Sequence, residues 1–315
     1  MYLICGETLY DVFIDPVAVD AVRRITLSAK AGGSPHNVAI GLARLGCAVS
    51  LGTEIAGDSL GRLLEEHLKA EGVNCQFVRR SAKSTPLAMV DVDAAGVPRY
   101  AFHGLDAVLF HPELAKVRKQ WQGLYGIHVG SIPIVSPQSS EQLLALIRSA
   151  PERVLIAFDP NVRLNIEPDV ERWCEAVEHF RVESHLVKAS EEDLLNLYGA
   201  PLDIDRVAND WLSANTSLVV ITRGALGAVL YSRTAGRIEV PAFPVVVADT
   251  VGAGDSFQAA MLAWLAEARR ASPGELQALQ VGELRSMGRF AAHAAAITCR
   301  HRGPEFPYRK ALKDV

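Results

Sequence analysis

The sequence lacks the features that mark several classes of protein. Its five cysteines are scattered singly over 315 residues and form no CxxC pair, which argues against a disulfide framework or zinc site and fits a reducing cytoplasm. The nine histidines show no metal-ligand spacing such as HExxH. No apolar run reaches the roughly 18 residues that a membrane span needs. The formal net charge of −4, without a block of like charges, argues against a nucleic-acid partner.

The first fifteen residues have little of what marks a secretory signal. They contain no basic region and soon reach Glu7, Asp11 and Asp15. We therefore interpret this segment as a first strand rather than a signal peptide.

Apolar residues, by contrast, are plentiful, at 49% of the chain, which is enough for a sizeable core in one large domain or two. From about residue 120, short apolar runs alternate with amphipathic stretches such as 140–149 and 170–180. The runs are 124–129, 154–158, 186–188 and 218–222. This alternation predicts an α/β fold, with a mostly parallel, Rossmann-like sheet and helices on both faces. Ligands usually bind where the loops after such strands share one edge.

Two earlier segments do not follow that rhythm. Residues 23–29 alternate roughly between apolar and polar, and residues 87–103 read as two strands around a turn at Ala94–Ala95–Gly96. We expect either a small β lid separate from the main sheet or an extension of that sheet's edge.

The motif with the most chemical content is DTVGAGDSFQAAM, from Asp249 to Met261. Small residues just before Asp255 let a ligand approach the backbone, and an apolar segment after it predicts a helix that begins near Gly254. The unpaired N–H groups at the start of a helix bind anions, including a phosphoryl group. A carboxylate in the same turn is placed to accept a proton from an attacking hydroxyl. The plainer alternative is a glycine turn before an ordinary helix.

The pattern DTxGAGDxF resembles the C-terminal signature of the ribokinase-like (PfkB) family of carbohydrate kinases, and every signature position is filled here. The resemblance implies that Asp255 is the catalytic base and that Gly252, Ala253 and Gly254 form the anion hole. The chain has no GxxxxGK[ST] pattern, so a P-loop lysine does not hold the phosphates.

A second segment, AGGSPHNVAIGLARLG, resembles the family's N-terminal signature. The resemblance implies that Gly32, Gly33 and Asn37 contact the sugar. It also assigns a sugar-binding aspartate to the end of the first strand. Asp11 matches this position, with Asp15 as the neighbouring alternative.

One residue departs from the family pattern near this second segment. Ala56 stands in IAGDSLG where the family usually has a glycine, which leaves the conformation of this loop open.

The FDPNVR segment resembles an element of fructokinase-like and keto-deoxygluconate-kinase-like members. Its Arg163 could reach a sugar oxygen, a substrate carboxylate or the phosphate, and the alternative is a surface arginine. VKASEEDL stands where the family has an NxxE element, so the resemblance implies that Ser190 and Asp193 help to bind ATP. Asp193 would act on Mg²⁺ through water, a role that Glu192 could share.

Two further segments resemble the family's nucleotide-binding elements. ITRGALGAV would place Thr222, Gly224 and Gly227 along the ATP phosphates and ribose, although turn glycines are the usual explanation for such spacing. His293 lies where the family often has an asparagine beside adenine, and helix packing is the alternative.

The resemblance also raises a monovalent cation site. This candidate K⁺ site would use Asp249 and Val251.

The resemblance covers the chain from Gly6 to Pro307 in the family's motif order. We therefore expect a single ribokinase-like domain over residues 1–315, with a lid inserted from about 10–31 and 86–106. The expected ligands are a small-molecule sugar, ATP and Mg²⁺, with K⁺ as a further candidate. We also expect a cytoplasmic homodimer that pairs through the lid.

The motifs favour fructose as the sugar. Keto-deoxygluconate is the alternative, for which Arg163, Arg99 or His103 would supply the cation that an acid sugar requires. A nucleoside kinase would place more aromatic or apolar surface on the lid. A sugar-binding relative without kinase activity would have no chemical need for both Asp255 and the Gly-Ala-Gly turn.

Overall fold

The computed structural model describes residues 1–14, 26–92, 98–104 and 114–312, and the segments it describes form two sheets flanked by helices. The strands are β1 Tyr2–Cys5, β2 Leu9–Ile14, β3 Leu27–Gly32, β4 Val49–Ala56, β5 Val78–Ser81, β6 Leu87–Val92, β7 Pro98–His103, β8 Gly126–Gly130, β9 Leu155–Asp159, β10 Leu186–Ser190, β11 Leu218–Thr222, β12 Ala228–Ser232 and β13 Gly236–Val240. The helices are α1 Ser34–Arg44, α2 Ser59–Ala70, α3 Leu114–Arg118, α4 Pro137–Arg148, α5 Val170–Arg181, α6 Glu191–Tyr198, α7 Ile204–Trp211, α8 Ala253–Glu267, α9 Pro273–Gln277 and α10 Val281–Thr298.

The large sheet has nine strands in the order β13-β12-β11-β10-β9-β8-β1-β4-β5. In this spatial order, the strands from β11 across to β5 run parallel. At the opposite edge β12 and β13 pair antiparallel. Parallel strands joined by helices bring their carboxyl ends to one edge, where binding sites of such folds form. The predicted α/β class with a mostly parallel sheet is confirmed.

Helices cover both faces of the large sheet, and several strands contribute side chains to both cores. In β1, Tyr2 and Ile4 belong to one buried cluster, whereas Leu3 and Cys5 belong to the other. Successive side chains of a strand point to opposite faces, so a continuous apolar strand can serve two helical layers. The first layer contains α1, α8 and α10, and α8 packs against both of the other two. This packing fixes the start of α8 beside the start of α1.

The small sheet has four strands in the order β3-β2-β6-β7. Its outer pairs are antiparallel, and its central pair, β2 with β6, is parallel. The alternative of an extended edge of the main sheet is therefore wrong, because these strands form a sheet of their own. Residues 15–25, 93–97 and 105–113, and with them the predicted turn at Ala94–Ala95–Gly96, lie outside the described residues.

The structure accounts for the departure from the family pattern at Ala56. Ala56 is the buried last residue of β4, and a strand position needs no glycine.

Within the described part of the chain, no helix combines the length and the apolar character that crossing a membrane requires.

Candidate active site

The glycine-rich turn before α8 has the geometry of an anion-binding helix start. Gly252 precedes the helix with φ of 79°, in the left-handed region that favours glycine. A Cβ placed on Gly252 would lie 2.8 Å from the Cβ of Pro304. The family resemblance places Ala253 in the anion hole. Its amide instead donates to the carbonyl of Thr250. The amides of Gly254 and of Asp255, in the first turn, have no acceptor within the helix.

Asp255 is the third residue of α8 and is held by two side chains from α1. The Ser34 hydroxyl donates to Oδ1 at 2.6 Å, and the Asn37 amide donates to Oδ2 at 2.8 Å. Burial raises the pKa of Asp255, and these two hydrogen bonds act in the opposite direction. A higher pKa makes the ionised carboxylate a stronger base. The geometry fixes the orientation of a carboxylate that is suited to accept a proton.

Asn37 therefore has a defined partner that the sequence did not indicate. It contacts the predicted base, and the cap of α1 is Gly33 without a side-chain hydrogen bond. The expected contact between Asn37 and sugar stays a prediction.

The family resemblance places Asp11 at the end of the first strand. In the structure it lies within β2 of the small sheet instead. Its carboxylate lies against Gly32, since a Cβ on that glycine would stand 2.4 Å from Oδ2 of Asp11. Burial raises the pKa of Asp11 to about 6, the nearby Asp255 charge adds to the rise, and Arg163 lowers it. Asp11, Arg163 and Asp255 thus lie close enough to interact. The alternative, Asp15, lies outside the described residues.

Glu7 is a buried carboxyl between the two sheets. It follows β1, its Oε1 accepts a hydrogen bond of 2.8 Å from Ser131, and no partner of Oε2 is found among the described residues. Its carbonyl would lie 2.9 Å from a Cβ on Gly33. Burial raises the pKa of Glu7 to about 7, and Asp255 adds to the rise. The glycine at 33, with φ of 100°, therefore has a packing reason as well as the predicted sugar contact.

Arg163 extends from the loop after β9 and is exposed. Its guanidinium donates to the carbonyl of Val162 at 2.9 Å, and its charge lowers the pKa of both Asp11 and Asp255. A flexible cation beside two carboxylates can reach an anionic oxygen. Its role in binding substrate stays a prediction.

Lys188 and Asp159 form a buried ion pair beside the start of α8. Their side chains are 5% and 1% exposed, and Nζ lies 2.7 Å from Oδ2. Burial alone would lower the pKa of Lys188, but the charges of Asp159, Asp193 and Asp255 outweigh it and leave that pKa above its ordinary value. Lys188 is therefore a charged ammonium in the interior. A Cβ on Gly254 would lie 3.1 Å from its Nζ.

Ser190 and Asp193 have structural roles in this geometry. Ser190 caps α6, and Asp193 completes a capping box. The Asp193 carboxylate accepts hydrogen bonds from the Ser190 amide and hydroxyl and from the Val162 amide, at 2.6 to 2.7 Å. It is 3% exposed. The neighbouring candidate, Glu192, is exposed. Binding of Mg²⁺ through water by Asp193 stays a prediction, and the observed contacts supply no reason for it.

The two glycines after β11 differ. Gly224 is exposed in a turn with φ of 54°, and a Cβ there would meet nothing within 4 Å. Gly227 is buried, and a Cβ there would stand 2.1 Å from the carbonyl of Val240. Gly227 is thus required by packing against β13. The Thr222 hydroxyl donates to the carbonyl of Ala189 at 3.4 Å, and a nucleotide contact stays a prediction for all three.

His293 stacks on Phe243, with ring centroids 4.7 Å apart. This contact gives the histidine a packing role, and its contact with adenine stays a prediction. Asp249 joins two loops, since its oxygens accept hydrogen bonds from the amides of Val251 at 3.1 Å and Gly303 at 2.9 Å.

Sequence reasoning missed three residues at this site. Neither Ser34, within the N-terminal signature, nor Glu7, among the first fifteen residues, has a predicted role at the site. Lys188 was quoted within its motif but not singled out. A lysine between apolar strand residues (Leu186, Val187, then Ala189) was the available signal, because a buried strand position rarely carries a charge without a partner.

Comparisons with known proteins agree with this geometry. Residues 2–311 match the pfkB family of carbohydrate kinases. A fructokinase of Rhizobium leguminosarum bv. trifolii is 35% identical over 271 residues, covering 84% of this chain and 79% of the relative. The structure of a fructokinase from Xylella fastidiosa has a TM-score of 0.85 at 27% identity, with 98% of this chain and 96% of that chain covered. A structure of fructokinase with bound ATP from the same organism has a TM-score of 0.84 at 26% identity and covers 98% and 94%. The chain belongs to the pfkB family of carbohydrate kinases.

Proposed function

We propose that this carbohydrate kinase is an ATP-dependent fructokinase, which transfers the γ-phosphoryl group to a primary hydroxyl of fructose. The observation that carries the proposal is the carboxylate of Asp255, fixed by Ser34 and Asn37 in the first turn of α8. The relatives named fructokinase support the choice of sugar.

The residues present fit a triphosphate at the start of α8. Gly252 and Gly254 keep the turn free of side chains where a Cβ would stand 2.8 Å from Pro304 and 3.1 Å from Nζ of Lys188, and first-turn amides favour an anion. Asp255 accepts the hydroxyl proton as the oxygen attacks phosphorus. The amides of Gly254 and Asp255 stabilise the negative charge on the transferring group.

Side chains alone do not form a metal site here. Within the described part of the chain, no group of three or more His, Cys, Asp or Glu side chains is placed to hold a metal ion. A divalent ion is typical of kinases, and it would be held largely by phosphate oxygens. No step above passes through it.

Keto-deoxygluconate is the second candidate substrate, and the exposed Arg163 beside Asp11 and Asp255 favours it. The guanidinium would bind the substrate carboxylate as a bidentate partner.

The proposal is tested by a sugar panel. Purified protein with ATP and MgCl₂ is assayed with fructose, keto-deoxygluconate, ribose and glucose, and ADP release is measured alongside the phosphorylated product. We expect fructose to have the highest kcat/KM. A higher kcat/KM for keto-deoxygluconate would make it the proposed substrate in place of fructose. If none of the sugars gave a phosphorylated product, the result would favour a non-catalytic sugar-binding relative.

Three further proposals go with this function. The small sheet acts as a lid over the sugar and pairs with a second copy, because β3 exposes four successive residues from Leu27 to Lys30. Asp249 and Val251 hold K⁺ beside the α8 turn. The protein works in the cytoplasm, since the five cysteines are free.

A further inference from the structure

The Lys188 ammonium lies where the helix dipole opposes it. A Cβ on Gly254 would stand 3.1 Å from Nζ, so the ammonium lies beside the first turn of α8. The first turn carries the positive end of the helix dipole, which favours anions and disfavours cations. The neighbouring carboxylates of Asp159, Asp193 and Asp255 offset this repulsion and keep the ammonium charged. An anion beside both the ammonium and the first-turn amides would interact favourably with each of them.

The Lys188 ammonium also has more hydrogen-bond donors than acceptors found for it among the described residues. An ammonium carries three N–H donors, and Asp159 is the one hydrogen-bond acceptor of Nζ found among the described residues. The side chain is 5% exposed, and buried donors without acceptors are costly. A ligand oxygen would satisfy them.

The carboxylates around the site would make phosphate binding unfavourable without a nearby cation. Glu7 and Asp11 each interact electrostatically with Asp255, and negative charge on these carboxylates repels a polyphosphate. The chain also lacks a P-loop lysine. A charged group at the start of α8 would offset that repulsion where the phosphoryl group is transferred.

We propose that Lys188 is a catalytic residue whose ammonium contacts the transferring phosphoryl group, with Asp159 holding it in place. The inference rests on the proposed kinase function. In the step, the sugar oxygen forms a bond to the γ-phosphorus, and the bond from that phosphorus to the β–γ bridging oxygen breaks. ADP leaves with the electron pair, and the hydroxyl proton goes to Asp255. Lys188 exchanges no proton and stabilises the charge on the phosphoryl oxygens.

The test separates contact with phosphate from neutralisation of Asp159. Lys188→Met removes the ammonium but leaves Asp159 buried and unpaired, so this variant should lose stability. The double variant Lys188→Met/Asp159→Asn removes both charges and is designed to fold. Asp159→Asn alone keeps the ammonium and is the matched control.

We expect kcat of the double variant to fall by about 10²–10³, the usual effect of removing one donor to a developing charge. The kcat of Asp159→Asn alone should fall less than that of the double variant. If Lys188 served only to neutralise Asp159, the double variant would turn over at nearly the wild-type rate, which would overturn the proposal.

A binding measurement decides the point without turnover. Calorimetry gives the Kd of ADP and of adenylyl imidodiphosphate, which carries a γ-phosphoryl group, for the wild type and the double variant. We expect the double variant to lose at least tenfold in affinity for the imidodiphosphate and to bind ADP normally. Equal losses for both nucleotides, or none, would refute the contact. Because this measurement needs no sugar, it remains decisive even if the sugar panel contradicts the proposed function.

Discussion

The two sheets meet at the candidate active site, but they are buried very differently. In the large sheet, β1, β8 and β9 are buried at every residue, whereas the first four residues of β3 in the small sheet are exposed. Helices cover both faces of the large sheet, while the first four residues of β3 have no such cover. The groups proposed to act on the phosphoryl group stand on or beside the large sheet, and Asp11 and Gly32 stand on the small sheet. We therefore expect changes on the large-sheet side to alter kcat and changes on the small-sheet side to alter the sugar KM.

The largest effect should come from Asp255→Asn on the large-sheet side. The amide cannot accept the hydroxyl proton, so kcat should fall by roughly 10²–10⁴, the range for a positioned base. The Kd of ATP and the melting temperature should change little. Glu283→Gln is the matched control, because Glu283 also occupies the third position of a helix, α10. Near-normal turnover of Asp255→Asn would remove the base from the mechanism.

Glu7, at the junction of the two sheets, predicts a pH-dependent stability. Its pKa is raised from 4.5 to about 7, so the unfolded chain releases this proton at lower pH than the folded protein does. The wild type should lose about 3 kcal/mol of unfolding free energy relative to Glu7→Gln as pH rises from about 4.5 to 7. Urea unfolding of both proteins at pH 5 and pH 8 measures the change. A difference that is independent of pH would show that the carboxyl is not protonated in the fold.

On the small-sheet side, Gly32→Ala should act on sugar binding. The added Cβ would stand 2.4 Å from Oδ2 of Asp11 and must displace that carboxylate. Hydrogen bonds to a charged group contribute roughly 1.5–3 kcal/mol, so the KM for the sugar should rise about 10- to 100-fold while kcat changes little. Gly123→Ala is the control, because a Cβ there meets nothing within 4 Å. A fall in kcat at unchanged KM would contradict the division between the two sheets.

What the sequence predicted well was local. The strand at 218–222 and the start of α8 one residue from Gly254 follow from an apolar run and from a glycine turn, which act over a few residues. The contact of Ser34 with Asp255 joins residues 221 positions apart and depends on how α1 packs against α8. Motifs also do not separate ligand contacts from packing, as Gly227 and Asp193 show. Their residue types suit a nucleotide site, but their neighbours give them structural roles.

A chain of hydrogen bonds links the small sheet to the start of α8. The Lys30 ammonium on β3 donates to the carbonyl of Arg302 at 2.8 Å, and the next amide, of Gly303, donates to Oδ2 of Asp249 at 2.9 Å. Oδ1 of Asp249 accepts from Val251, which directly precedes the glycine turn. Movement of β3 would therefore reach the glycine turn before α8 through three hydrogen bonds.

Lys30→Met tests this link and should have the smallest effect. One such hydrogen bond contributes roughly 0.5–1.5 kcal/mol, so kcat/KM for the sugar should fall about two- to tenfold, and amide exchange at Gly303 should become faster. Lys119→Met, at another exposed lysine, should change neither quantity. If exchange at Gly303 rises while kcat/KM stays constant, the loop and the small sheet are joined but catalysis does not depend on the connection. In that case the two sheets would contribute to the site independently.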